Sequence, residues 1–382
     1  MEQRSLYPTI PARVSGSLPH APLFSISSNA PHDAIPWLIV GGGVHGVAIA
    51  SRLLSSGAVS FASSILIVDP NPSLLHSWKL RTSATGMRYL RSSAGYHLDA
   101  EVDSLSRFGA PGSGKRRRLE SCCSSAPSPS RGRGAKRGGA RAPEGSFAKD
   151  YKRQSLDLFN SHCDSVISKY SLEGSLLNGE VCEITPNNKD VRVLVAGAEG
   201  AEERVYVAST VVLALGNSGL EYPDWVSVSD LESGAVRHLL DLSRSAAGFD
   251  EGPRPGSDVA IVGGGITAAH KALELSRAGG GNRTVHLVSR HELREQQFDT
   301  HQDYMVSAFA ALRSSSLGGE GVPERQRAFS STKSMSQRRE IICRERASGT
   351  VSASVRRGRG GLRYAIEEGE VEWHLGGVER CE

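Results

Sequence analysis

The sequence predicts an α/β protein built on two β-α-β units, and three observations predict it. Two Gly-Gly-Gly turns, Gly41–Gly43 and Gly263–Gly265, each follow a short apolar run. Each turn opens a stretch whose apolar residues recur at helical spacing. Each stretch leads to a second apolar run, so the first unit closes within about 33 residues, the length expected of such a unit.

In the first unit, Trp37-Leu38-Ile39-Val40 is a continuous apolar run and reads as a buried parallel strand. Val44, Val47, Ala48, Leu53 and Leu54 mark the helix, and Gly57 can end it. Ile65-Leu66-Ile67-Val68 is the second strand, stopped by Asp69-Pro70. Further on, Leu156, Phe159, Cys163, Val166, Ile167 and Tyr170 form a helical stripe. Alternating Val191, Val193 and Val195, followed by Val205 and Val207 after a Gly/Glu-rich turn, signal a β-hairpin. Thr210 to Leu215 is another buried strand, ending at Gly216. The second unit runs from Val259-Ala260-Ile261-Val262 through a helix carrying Ile266, Ala269, Ala272 and Leu273 to Val285-His286-Leu287-Val288. Near the end, Arg339–Ile342 and Glu370–His374 read as short strands, and 314–336 is polar and poorly patterned.

The expected organisation is therefore two Rossmann-like dinucleotide-binding domains, three-layered and nested. A loose Pro/Ser-rich tail covers 1–35, one domain spans 36–250, and a second spans 257–345. The stretch 346–382 is expected to be an incomplete return to the first domain. The total of 382 residues suits about two domains.

Charge separates one segment from the rest. Between Arg107 and Arg141 lie ten basic residues and one acid, Glu120, giving that stretch +9 where the whole chain carries +4. The remaining residues are mildly acidic, at −5. Residues 107–146 are rich in Gly, Ser, Pro and Arg and are expected to be a disordered basic insert. Nucleic-acid or polyanion binding through it is the weaker reading. The segment attracts phosphates, but no aromatic residue lies between Phe108 and Phe147 to stack a base. Gly109 to Lys115 matches the glycine and lysine spacing of a P-loop. Arg116 stands where Ser or Thr should bind magnesium, and no strand precedes the run, so the match reads as chance.

Six cysteines without a Cys-x-x-Cys pair suggest neither a disulfide framework nor a zinc site. Cys163 and Cys182 read as small buried apolar side chains. No apolar run reaches the ~18–20 residues of a membrane span. A cytoplasmic location is the expectation, with an organellar transit peptide left open.

The glycine turns carry the chemistry. Gly41-Gly42-Gly43-Val44-His45-Gly46 is a G-x-G-x-x-G at a strand-to-helix junction. The first glycine permits the turn, Gly43 lets a pyrophosphate approach the backbone, and Gly46 lets the helix pack on the sheet. The helix N-terminus offers free N–H groups and partial positive charge to phosphate. Asp69, ending the next strand, can accept hydrogen bonds from ribose hydroxyls. His45 reads as a helix-start residue facing a groove, and His286 as a structural strand residue. The second turn is Gly263-Gly264-Gly265-Ile266-Thr267-Ala268, with alanine in third place. Its second strand ends in Ser289-Arg290, which suits a 2′-phosphate where an acid would repel it. Two such loops suggest two dinucleotides, FAD at the first and NADPH at the second.

These stretches resemble flavoproteins related to the flavin-dependent, N-hydroxylating monooxygenases of the lysine/ornithine type. The resemblance rests on WLIVGGGVHGVAIASRLL (37–54), ILIVDP (65–70), SWKLRTSATGMRYLRSS (77–93), HLD (97–99), LFNSHCD (158–164), VVLALGN (211–217), VAIVGGGITAAHKALEL (259–275) and LVSRHELREQQFD (287–299). It implies that the block around Trp78, Gly86, Met87, Leu90 and Arg91 runs beside the flavin, and it adds Trp78, Met87 and Gly216 to the cofactor-binding set. It also implies that NADPH delivers hydride to FAD and that the reduced flavin uses oxygen to hydroxylate a nucleophilic atom of a small-molecule substrate. No catalytic side chain is assigned. The sequence departs from this pattern at the basic insert and at 314–336. It departs again after GEVEW (369–373), where relatives are expected to continue into a closing segment near the flavin. A shortened chain, or a non-catalytic dinucleotide-binding relative, is the alternative.

Overall fold

The computed structural model describes residues 34–101, 103–109, 119–121, 152–197, 202–216, 219–241, 257–278, 283–296, 324–345, 350–351 and 361–379. Strands are β1 Ile35–Val40, β2 Ile65–Asp69, β3 Leu119–Ser121, β4 Lys152–Gln154, β5 Leu176–Pro186, β6 Val191–Gly197, β7 Arg204–Leu213, β8 Val259–Val262, β9 Val285–Ser289, β10 Arg294–Glu295, β11 Thr350–Val351 and β12 Val371–Leu375. Helices are α1 Val44–Ser55, α2 His76–Ala84, α3 Ser104–Phe108, α4 Leu156–Lys169, α5 Val228–Ser233, α6 Ile266–Ala278, α7 Glu324–Ser331, α8 Met335–Glu345 and α9 Leu362–Glu367. The residues group into two compact units. The first holds those up to Trp78 and Asp164–Ser218; the second holds Lys79–Cys163 and Gly219–Glu382.

The first unit is a mixed sheet in which β5, β2, β1 and β7 run parallel. β5 and β7 outrun their parallel neighbours and continue antiparallel to β6, so the five strands close on themselves. The expected hairpin is the β6–β7 pair, and its second strand and the expected strand at Thr210 are one strand, β7. Its first half pairs with β6 and its second half with β1. The strand alternation sorts β1 and β2 onto two faces. Leu38, Val40, Leu66 and Val68 pack with Val193, Val195, Tyr206 and Ala208 inside the closed sheet. Ile39, on the opposite face, lies under α1 beside Gly46. Both faces are covered, which explains why β2 reads as an unbroken apolar run. The helix ends as the sequence suggests: Gly57 has φ +74° and donates to the Leu54 carbonyl.

The second unit contains the parallel sheet β12-β9-β8. Ala269, Ala272 and Leu273 of α6 and Leu362 and Ala365 of α9 pack on Val285, Leu287 and Val371. Among the described residues, helices cover this one face, while His286, Glu372 and His374 stand on the other. The parallel two-residue pair β10–β11 lies in the same unit, as does the antiparallel pair β3–β4.

Several expectations need correction. Val371–Leu375 pairs with β9 rather than returning to the first sheet, because Val371 completes the apolar face of the second core. Arg339–Ile342 lies within helix α8, not in a strand. Part of the stretch read as poorly patterned is helical, in α7. The stretch from Lys79 to Cys163 groups with the second unit, although the expected first domain ran to 250. Arg91 shows why: its guanidinium donates to the Gln296 carbonyl at 2.9 Å and to the Thr350 carbonyl and hydroxyl at 3.2 and 2.9 Å. Leu119–Ser121, inside the basic insert, pairs with β4. The first residues of the insert, Arg107 to Gly109, end helix α3. The insert at 110–118 and 122–146, with the P-loop-like run beyond Gly109, and the 1–33 tail lie outside the described residues.

Candidate functional site

The first glycine turn is held by backbone contacts that exclude side chains. Gly41 has φ +109° and donates to the Val68 carbonyl at 2.8 Å. A Cβ on Gly41 would lie 2.4 Å from the Ala214 carbonyl oxygen of the chain leaving β7. A Cβ on Gly46 would lie 1.9 Å from the Gly41 carbonyl oxygen, so α1 can approach the turn this closely only with glycine there. Gly43 differs, since nothing lies within 4 Å of a Cβ built on it. It caps α1 with extended backbone and no side-chain cap, leaving the first-turn N–H groups facing outward. A turn that is tight on two sides and open on the third is the cradle a pyrophosphate needs.

Asp69 closes this site. One carboxylate oxygen accepts the Gly42 N–H at 2.6 Å. The other accepts the Asn71 backbone N–H at 2.9 Å and the Asn71 side-chain amide at 2.7 Å. A carboxylate has about four acceptor positions, so three are in use and one remains for a hydroxyl. Of the two hydroxyls a ribose presents, the geometry leaves Asp69 room for one unless Asn71 turns away. The chain then folds back across the turn, and Leu75 donates to the Gly42 carbonyl at 2.8 Å. Leu75 is buried and left-handed, with φ +62°, a conformation a branched side chain adopts only when its surroundings impose it. Asn71 and Leu75 were not legible as site residues, because no motif marks either.

The second turn repeats the scheme with looser tolerances. Gly263 has φ +144° and donates to the Val288 carbonyl at 2.8 Å, but the nearest atom to a Cβ there is the Ala268 methyl at 3.5 Å. Gly265 has open space around it, as Gly43 does. Ile266 and Thr267 begin α6 behind it. Ser289 is 3% exposed and its hydroxyl is engaged: it donates to the His291 carbonyl and accepts from the Trp373 indole, both at 2.9 Å. Arg290 is exposed. Of the pair expected to meet a 2′-phosphate, the arginine is therefore available and the serine is structural.

The remaining expected residues scatter. His45 is exposed and Val44 half-buried at the start of α1. Gly216 has φ +67° where the chain leaves β7. Trp78 and Met87, both half-buried, fall in different units. Cys163 is buried as expected, whereas Cys182 is exposed at the irregularity in β5 where the pairing with β6 slips.

His270, one turn into α6, was also not anticipated. Burial lowers its pKa to about 4, helped by the positive charges of Arg153, Arg88 and Arg91. Three arginines from two distant parts of the chain, 88–91 and 153, thus share one neighbourhood with a neutral imidazole. Their sequence separation hides this: the backbone bonds from Leu156 to Arg88 and from Leu90 to Gln154, with the Gln154 side-chain amide donating to the Ser92 hydroxyl at 3.4 Å, join segments more than 60 residues apart.

No family model matches the chain, and a search of curated proteins finds no relative. Solved structures do match. The ornithine N-hydroxylase of Kutzneria sp. 744, described with reduced FAD, NADP+ and L-ornithine, superposes with a TM-score of 0.53 at 16% identity, covering 89% of this chain and 71% of that one. The ornithine hydroxylase of Pseudomonas aeruginosa gives 0.57 at 16% identity, covering 90% and 74%. The FAD-bound cadaverine monooxygenase of Erwinia amylovora gives 0.55 at 14%, covering 90% and 69%. The chain thus has the fold of the N-hydroxylating flavin monooxygenases. At these identities the likeness is one of fold.

Proposed function

We propose that the chain is an FAD-dependent, NADPH-using oxidoreductase of the N-hydroxylating monooxygenase type, acting on a small molecule bearing a nucleophilic amine. The observation that carries the reading is the first glycine turn. Gly41 and Gly46 pack so tightly that only glycine fits, while Gly43 leaves an open cradle at a helix N-terminus. The fold it shares with ornithine and cadaverine hydroxylases supports the amine.

The residues fit both cofactors. The first-turn N–H groups of α1 and the Gly43 backbone would hold the FAD pyrophosphate, and the free acceptor position of Asp69 would take one ribose hydroxyl. The open face at Gly265 and the exposed Arg290 would hold NADPH, Arg290 meeting the 2′-phosphate. FAD held at the first turn would supply the hydride-accepting and oxygen-activating chemistry. The chain's own contribution is to bind and orient. Gly42 N–H fixes the Asp69 carboxylate, Leu75 pins the turn through the Gly42 carbonyl, and Trp373 fixes Ser289 so that Arg290 follows at the strand end. His270, neutral at physiological pH, adds no charge beside the arginines.

The test is anaerobic reduction of the FAD-loaded protein. NADPH should bleach the flavin band much faster than NADH, and a primary diamine or ornithine should then increase NADPH-dependent hydroxylamine formation in air. Equal rates with NADH would remove the role given to Arg290. Flavin that is never reduced would leave a binding protein rather than an enzyme.

A further inference from the structure

The exposed face of the second sheet carries a cluster that neither glycine turn uses. His286 on β9 and Glu372 on β12 are register partners, and His374 lies two residues beyond Glu372 on the same face. His286 Nδ1 is 3.1 Å from His374 Nε2 and 3.3 Å from Glu372 Oε2; the last pair, His374 Nε2 and Glu372 Oε2, is 3.8 Å apart. Three donor atoms from three side chains thus converge within 4.8 Å of one another. Zinc bonded to nitrogen and oxygen at about 2.0–2.1 Å in a tetrahedron sets its ligands roughly 3.3 Å apart, so the triangle has nearly the required size before any ion arrives.

The geometry points to a divalent metal site of the zinc class at His286, Glu372 and His374. Two imidazoles and one carboxylate are borderline ligands that suit zinc better than magnesium or calcium, which prefer all-oxygen shells. Three protein ligands leave a fourth position for water or an added ligand. The alternative is a hydrogen-bonded histidine pair beside a carboxylate on the protein surface. That arrangement needs one imidazole to donate and the other to accept, and it explains two contacts. A metal uses all three donor atoms at once. The side chains are 31% exposed for His286, 54% for Glu372 and 49% for His374, so among the described residues an ion can reach them. The ion would tie β12 to β9, the strand pair whose other face carries Val371 and Val285 into the second core. The inference does not depend on either cofactor.

The experiment uses the full chain, stripped with a chelator and titrated with zinc(II) against a chromophoric competitor. Wild type should take up one equivalent that survives alkylation of the cysteines. His286→Ala and His374→Ala should each lose that equivalent or weaken it at least tenfold, and Glu372→Gln should weaken it while keeping a similar shape. Far-UV circular dichroism should match wild type in all three, because the side chains lie outside the core. Zinc should raise the thermal midpoint of wild type but not of the variants. The site would be overturned by wild type taking up no zinc, by variants binding as wild type does, or by loss of the equivalent on cysteine alkylation. If an alanine variant misfolds, the Glu372→Gln titration and the zinc dependence of the wild-type midpoint decide the question.

Discussion

The two glycine turns differ in how much each depends on its glycines. In the first, a methyl on Gly46 would overlap the Gly41 carbonyl oxygen, a methyl on Gly41 would overlap the Ala214 carbonyl, and Asp69 accepts a turn N–H. In the second, Ala268 already carries the methyl that Gly46 cannot, and nothing lies closer than 3.5 Å to a Cβ on Gly263. The difference follows from the strands around each turn. β1 is flanked by β2 and β7, and the chain leaving β7 presses on Gly41. β8 has β9 on one side and, among the described residues, no strand on the other. A turn enclosed on both sides has no slack, whereas a turn at a sheet edge keeps some.

The largest effect should come from breaking the enclosed turn. Gly46→Ala must push α1 off the sheet and should cost at least ~3 kcal/mol of stability with loss of bound FAD, read by urea unfolding and flavin content. The mirror change, Ala268→Gly, should leave NADPH affinity within about twofold. A loss of FAD binding no greater than that twofold in Gly46→Ala would erase the contrast between the turns.

A comparable effect should appear when pH is varied. His270 binds its proton less readily folded, at about 4, than unfolded, at the ordinary histidine value of 6.5. The unfolded state therefore takes up more protons between those values, and stability falls as pH drops from 6.5 to 4. The full loss is on the order of 3 kcal/mol. His270→Gln should flatten that slope in urea titrations at a series of pH values. An unchanged slope would mean that other groups set it.

Next in size, Asp69→Ala removes the acceptor for the Gly42 N–H and should cost ~1–3 kcal/mol, lowering FAD affinity more than NADPH affinity in separate titrations. Arg290→Ala should raise the KM for NADPH roughly tenfold and leave that for NADH unchanged, a loss of one charged hydrogen bond. Substituting Ser289, whose hydroxyl is committed to His291 and Trp373, should act on stability rather than on coenzyme choice.

The elements legible in the sequence were those whose signal is local. Both glycine turns, the helix end at Gly57 and the strand at Val371–Leu375 are written in short windows of residues. What stayed hidden depends on pairing at long range. The sheet that Val371 joins is decided by its fit against Val285 and Leu287, and the convergence of His286 with Glu372 and His374 by register across 86 and 88 residues. Ile341-Ile342 suggested a strand at Arg339–Ile342, yet the segment is helical; a two-residue apolar run carries too little periodicity to decide. Asn71 and Leu75 shape the first turn through one side-chain amide and one strained backbone angle, neither of which has a sequence signature.

The central claim is that the first turn is an FAD site. Its most direct test is the visible spectrum and flavin content of the purified full chain, as isolated and after incubation with FAD. Wild type should show a flavin band near one FAD per chain, and Gly46→Ala none. A wild-type protein that stays colourless after added FAD, or a Gly46→Ala variant that binds FAD as tightly as wild type, would contradict it.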